Sequence, residues 1–334
     1  MIASTPVFAQ LVQDFFCGCL MNQRNASPRT VASYRDTFRL LLGFFDTDRG
    51  KNPSQVELSD LTPSAVVAFL NHLEAKRHNS IRTRNNRFAA LRAFLRYASG
   101  RDPASLSTVQ KVLDIPLKRY DRPQMGFLSR EEILAILDTP DVSTWSGRRD
   151  RVMFATLYNT GARVSELVSA KVGDLSYDNF SASLLLHGKG RKERTVPLWK
   201  ETARALRTWF QEITADATSP LFPNMSGKFM TRSGVEYRLR SLLVSAGKRC
   251  PSLKNRRISP HTFRHTTAMH LLQSGVDITV IALWLGHESP VTTHMYVEAD
   301  LIMKERALAK VQEPGTKQAR YRASDKLLKF LESL

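Results

Sequence analysis

Cysteine is scarce in this chain: Cys17, Cys19 and Cys250 are the three present in 334 residues. An odd, sparse set cannot build a disulfide framework, and all three are expected to be small buried thiols. No stretch approaches the roughly 18 consecutive apolar residues of a membrane span. The N-terminus, Met-Ile-Ala-Ser-Thr-Pro, has no basic segment ahead of an apolar core, so no secretory signal is expected and a cytoplasmic protein is implied. Low-complexity tracts and internal repeats are missing too. Acidic residues are the last shortage, with Asp plus Glu at 31 against Lys plus Arg at 49, a net charge of +18.

That imbalance points to a polyanionic partner, because cations that neutralise phosphates release bound counterions. The charge is spread through most of the chain and is not gathered into one amphipathic helix, which favours nucleic acid over an anionic membrane surface. The hydrophobic share of 42% suffices for real cores, and the length fits one large domain or two ordinary ones.

Residues 1–113 read as a helical domain of four helices. The first lies near Val7 to Gln23. In the second, Tyr34, Phe38, Leu41, Leu42 and Phe45 form one stripe, opened by Ser27-Pro28 as N-cap and first-turn proline. A third begins near Pro63 with Val66, Val67, Phe69, Leu70 and Leu73. A fourth, from about Ser80 to Ser99, has Phe88, Leu91 and Leu95 on its apolar face and Arg82, Arg84, Arg87, Arg92 and Arg96 elsewhere. With no acid on that helix to pair with, these arginines repel one another, and a DNA backbone is the expected partner.

Residues 114–127 hold two prolines and a glycine without helical period, and are expected to form a linker. Ser129-Arg130-Glu131-Glu132 is then a capping box that opens a second, mixed domain over 128–312. Helices are expected at 149–159, 163–169, 200–214, 231–246, 260–274 and 277–285. Strands at 183–187 and 194–198 flank the hairpin loop Gly188-Lys189-Gly190-Arg191-Lys192. The fold class is therefore mainly α with a small β-sheet.

Within the second domain stand Gly161-Ala162-Arg163-Val164-Ser165-Glu166-Leu167, His261-Thr262-Phe263-Arg264, Leu285-Gly286-His287 and, nine positions on, Tyr296. Cutting a phosphodiester without a metal needs cations on the non-bridging oxygens, and guanidinium forks grip such oxygens bidentately. A tyrosine nucleophile conserves the bond energy as an ester, but with an ordinary pKa of about 10 it needs a base or cationic surroundings. The leaving sugar oxygen needs a proton donor. Ser259-Pro260 opens a helix, which puts His261 and Arg264 one turn apart on one face near its start. His265 makes His-x-x-x-His with His261, yet position 262 is Thr where a zincin has Glu, so no metal is expected. His265 and His270 are expected to pack or to support the catalytic groups from behind, and Tyr158 and Tyr237 to lie in the core.

In these motifs the chain resembles the tyrosine recombinase, or phage integrase, family over both domains. The resemblance implies a SAM-like core-binding domain followed by the family's mixed α/β catalytic domain. It implies catalytic roles for Arg163, Lys189, His261, Arg264, His287 and Tyr296, with Glu166 supporting a catalytic histidine or arginine from behind. Lys189 is the expected acid for the 5′ oxygen, with Lys192 its nearest rival. His261 is the expected base or tyrosine-orienting group, and His287 a phosphate donor. Arg82, Arg84, Arg87, Arg92, Arg191 and Lys192 are expected on DNA.

The reaction implied is site-specific recombination through a 3′-phosphotyrosyl intermediate and a Holliday junction, without metal or nucleotide cofactor. Double-stranded DNA with paired sites would be the substrate, held by a dimer to tetramer of this chain. Because the chain starts directly at core-binding helices, a Xer-like or transposon-encoded recombinase is the expected type. Type IB topoisomerase-like relaxation and a non-cutting DNA-binding protein are the alternatives. Residues 313–334 end in Leu327, Leu328, Phe330, Leu331 and Leu334, a short amphipathic tail expected to dock on a neighbouring subunit.

Overall fold

A computed structural model describes residues 8–120, 126–178, 181–188, 192–213 and 216–286. The chain divides into two compact units, Met1–Pro123 and Gln124–Leu334.

The first unit holds five helices among the described residues. Helix α1 (Phe8–Asp14) runs on as π-helical turns through Phe15–Gln23. It is followed by α2 (Pro28–Arg49), α3 (Pro63–Ala75), α4 (Ile81–Ser99) and α5 (Leu106–Leu113). Caps set the starts: the Ser27, Thr62 and Ser80 hydroxyls accept from the backbone N–H three residues on. That satisfies one of the donors every helix start leaves orphaned. Helix α2 ends at Gly50 in the left-handed conformation, φ 61°. The core is aromatic, with Phe94 packing edge-on against Phe8, Phe15 and Phe38 at 5.6, 5.5 and 5.1 Å between ring centroids.

Two expectations change here. The fifth helix is an addition to the four expected; it is only eight residues long, and Val109 and Val112 are its buried positions. Cys19 is buried as expected, but Cys17 is exposed and Cys250 half-buried.

In the second unit, α6 (Arg130–Leu137) starts with the Ser129/Glu132 capping box, both reciprocal bonds formed at 3.1 and 2.9 Å. Helices α7 (Trp145–Thr160) and α8 (Val164–Ser169) follow, then an antiparallel sheet in the order β1 (Leu175–Tyr177), β2 (Ala182–His187), β3 (Glu193–Pro197). Ala182, Leu184 and Leu186 alternate inward along β2, and Leu184 pairs with Val196 across the hairpin. Strand β1 is a further addition; three residues give too short a pattern to read.

The chain continues through α9 (Lys200–Phe210), α10 (Arg232–Arg249), α11 (Pro260–Gln273) and α12 (Ile278–Leu285). Helix α11 is buried along most of its length and lies against α7. The hydroxyl of Thr267 donates to Tyr158 O at 2.6 Å, which lets a polar residue sit in that core. Tyr158 is part-buried, its hydroxyl 2.7 Å from His270 Nδ1, and His270 is buried. Tyr237 is not core: it is 64% exposed on α10. No helix of the described residues is long and apolar enough to cross a membrane.

Candidate active site

Helix α12 ends at Gly286, which takes a left-handed backbone at φ 65°. A helix C-terminus leaves carbonyls without intrahelical partners and concentrates partial negative charge there. Three arginines from three different elements meet that end. Arg194 of β3 donates through Nε to Trp284 O at 2.9 Å. Arg264 of α11 donates through Nη2 to Leu285 O at 2.7 Å. Arg163, the residue capping α8, donates through Nη2 to Gly286 O at 3.3 Å. Successive carbonyls on one helix end thus set the spacing of three guanidinium groups.

A second layer fixes them further. Arg264 Nη1 donates to Gly161 O at 2.8 Å, the carbonyl at the end of α7. Gly161 has φ 59°, a backbone that favours glycine, and a Cβ there would lie 2.6 Å from Leu285 Cδ2, so the leucine side chain would have to shift. Buried Glu166 takes Arg163 Nη1 on Oε1 at 2.7 Å. Its Oε2 accepts both the Arg163 backbone N–H at 2.8 Å and Arg194 Nη2 at 2.7 Å. Burial alone would raise the Glu166 pKa, but the hydrogen bonds and charge of Arg194 and Arg163 outweigh it and hold the carboxyl below the usual range. The site therefore keeps an anion that organises cations.

His261 lies one turn before Arg264, with its ring 4.2 Å from that of His265, edge to face. Its ring reaches solvent, while protein packed around it and the charges of Arg264 and Arg163 lower its pKa. These effects favour its neutral form, the form that can accept a proton. His265 is buried. No group of three or more metal-ligating side chains occurs among the described residues.

Of the residues singled out in the sequence, Arg163, Glu166, His261 and Arg264 lie together at this site. Lys189, Arg191, His287 and Tyr296 lie outside the described residues, as do residues 313–334. Lys192 is exposed at the base of the hairpin, where its carbonyl accepts from Gly188 N–H at 2.6 Å. On α4, Arg82 is exposed, while Arg87 and Arg92 are partly so. Arg92 lies over the Phe88 ring at 5.6 Å. Burial and the charge of Arg77 lower the Arg87 pKa.

Arg84 overturns its expected place on DNA. It is 3% exposed and its Nε lies 2.7 Å from Glu74 of α3, an acid that no reading of α4 alone could pair with it. The residue missed altogether is Arg194. In isolation it reads as a solvated charge at a strand start, yet β-alternation puts it on the same face as buried Val196.

Comparison with known proteins places this architecture. The family described as "Phage integrase family" matches residues 126–301, and "Phage integrase, N-terminal SAM-like domain" matches residues 14–102. A Sinorhizobium fredii protein named as integrase/recombinase y4rC is 45% identical over 326 residues, covering 98% of each chain. The tyrosine recombinase XerD of Listeria monocytogenes is 31% identical, covering 86% of this chain and 93% of its own. In fold, the chain is similar to the XerH site-specific recombinase bound to its palindromic difH substrate, with a TM-score of 0.67 and 22% identity over 86% of this chain and 81% of that one. The chain belongs to the phage integrase family. Its class is that of the tyrosine-type site-specific recombinases.

Proposed function

We propose that this chain cuts and rejoins double-stranded DNA at specific sites through a 3′-phosphotyrosyl intermediate. The observation that carries the proposal is the convergence of Arg163 and Arg264 on adjacent carbonyls at the end of α12, immediately before His287 in the chain. Two guanidinium groups fixed in advance suit a phosphate whose non-bridging oxygens gain charge as a fifth oxygen approaches, because such donors need no reorganisation during the reaction.

In this reaction the Tyr296 phenol oxygen attacks the scissile phosphorus. Neutral His261 takes up or steers its proton, the bond to the 5′ oxygen breaks, and Lys189 protonates that oxygen. Arg163, Arg264 and His287 hold the non-bridging oxygens. Attack by a 5′ hydroxyl of the partner strand reverses the sequence and frees the tyrosine, so no nucleotide is consumed.

DNA is the partner that the charge of +18 favours. Arg82, Arg87, Arg92, Arg191 and Lys192 are its backbone contacts. Copies of the chain act together on paired sites, in the cytoplasm where the DNA lies, with residues 313–334 docking on a neighbour. The named relatives include an integrase/recombinase and a Xer tyrosine recombinase, which supports a Xer-like or transposon-encoded recombinase.

A nicked duplex whose short 3′ product strand diffuses away tests the chemistry. Covalent protein–DNA adduct should accumulate, and its absence with the native chain would refute the reading. Deleting 323–334 should abolish synapsis of two sites; undiminished tetramer formation on DNA would refute trans docking.

A further inference from the structure

Arg194 lies outside the residues that the reaction proposed above requires, yet its side chain ties the end of α12 to Glu166. Its Nη2 holds the Glu166 oxygen that also takes the Arg163 backbone N–H. Its Nε holds Trp284 O. Its stem and Nη1 occupy the space over Gly286, where an added Cβ would sit 3.1 Å from both Cδ and Nη1. Its side chain is 11% exposed, against 37% for Arg163. Arg163 directs one N–H to Glu166 and one to Gly286 O, which leaves part of a five-donor fork facing outward. Arg194 faces inward, with Nη2 on Glu166 and Nε on Trp284 O.

The hairpin enters through the same residue. Arg194 is the second residue of β3, directly after the 188–192 loop. At the other side of that loop, a Cβ on Gly188 would lie 3.5 Å from Glu166 Oε1. The Glu166 carboxylate is therefore the point where the hairpin, the start of α8 and the end of α12 meet. Removing Arg194 strips one cation from a buried carboxylate whose other side-chain cation among the described residues is Arg163. The carboxylate would then draw Arg163 fully onto itself, and its outward donors would turn away from solvent.

We propose that Arg194 is a positioning residue for phosphoryl transfer: it shares Glu166 with Arg163 and so keeps the Arg163 fork aimed outward at the scissile phosphate. The proposal rests on the recombinase reading. It assigns Arg194 no contact with DNA or with the reacting atoms.

The test is single-turnover cleavage of the nicked duplex at saturating protein, with Arg163→Ala, Arg194→Ala and the double variant. Arg163→Ala should slow adduct formation by about 1000-fold and Arg194→Ala by about 100-fold. Because both act through one fork, the double variant should match Arg163→Ala within about 2-fold, where independent effects would multiply. A substrate with a neutral methylphosphonate at the scissile position needs less cation. In the diastereomer that relieves Arg163→Ala, the Arg194→Ala defect should shrink to under about 10-fold as well.

A loss that is equal on both substrates, or effects that multiply, would overturn the proposal and leave Arg194 a scaffold residue. Should Arg194→Ala fail to fold, Arg194→Lys carries the same test, since it keeps the charge but not the bridging fork. It is expected to lose about 10-fold, again relieved on the methylphosphonate. No adduct with the native chain refutes the recombinase reading itself. Native adduct with wild-type rates in the Arg194 variants refutes this inference alone.

Discussion

On α4, five arginines share one helix: Arg82 and Arg96 are exposed, Arg87 and Arg92 partly so, and Arg84 is buried. Around Glu166, three arginines come from three elements, and each is tied to a carbonyl at the end of α12. The residue type is the same and the physics is opposite. Exposed guanidinium groups keep their rotamer freedom and attract phosphate at long range, so what they contribute is affinity that salt erodes. Guanidinium groups locked on backbone carbonyls cannot adapt, and what they contribute is a fixed field at one point. Abundance of charge therefore marks the surface that finds DNA, while restraint of charge marks the place where chemistry happens.

The sharpest break in this comparison is Tyr296→Phe. Adduct on the nicked duplex should disappear entirely while affinity for intact duplex is unchanged, measured by gel shift beside denaturing electrophoresis. Next in size, Arg264→Ala should slow cleavage by about 100- to 1000-fold with an affinity change of only a few-fold, as expected for a preorganised donor.

Replacing Arg82, Arg87 and Arg92 together by Ala should do the reverse. Affinity should fall by about 10- to 100-fold, and the slope of log affinity against log salt should drop by up to about 3, one for each phosphate no longer neutralised. Cleavage at saturating protein should be preserved.

A smaller effect is expected from pH. His261 has its pKa lowered by surrounding protein, Arg264 and Arg163, so its neutral form persists below the ordinary pKa of about 6.5. Cleavage should stay level as pH falls through 6.5 and decline only under the lowered pKa. The folded state there binds fewer protons than the unfolded chain, so stability too should fall as pH drops below about 6.5. His261→Gln should remove the acid limb of the rate profile. Smallest of all in its effect on DNA, Arg84→Ala should lower stability by about 2 kcal/mol while leaving the salt slope untouched. A reduced slope instead would return Arg84 to the DNA surface.

Caps and stripes made the helices legible. Ser27, Ser80, Ser129 and Ser259 each stand before an apolar period, and each cap bond forms because the hydroxyl and the orphan N–H are three residues apart in any chain that starts a helix there. Contacts distant in sequence were not legible. Arg84 turns inward because Glu74 of α3 waits for it. Tyr237 points outward because α10 buries Val235, Leu239 and Leu242 instead. Strand β1 exists because Leu175 can pair with Leu184. At the candidate site, the motif spacing exposed Arg163, His261 and Arg264. Arg194 stayed hidden because its value lies in a carboxylate and a backbone carbonyl that are 28 and 90 residues away.

The carbonyls of Trp284, Leu285 and Gly286 belong to the main chain, so they look alike whatever side chains residues 284 and 285 carry. The pocket is thus tolerant of replacement at exposed positions of the last turn of α12, such as Leu283, and intolerant of any change in its length. One inserted residue would swing every later carbonyl by about 100° around the helix axis, and all three arginines would lose their registration in a single event. Drift by substitution and drift by insertion should therefore leave very different traces in this segment.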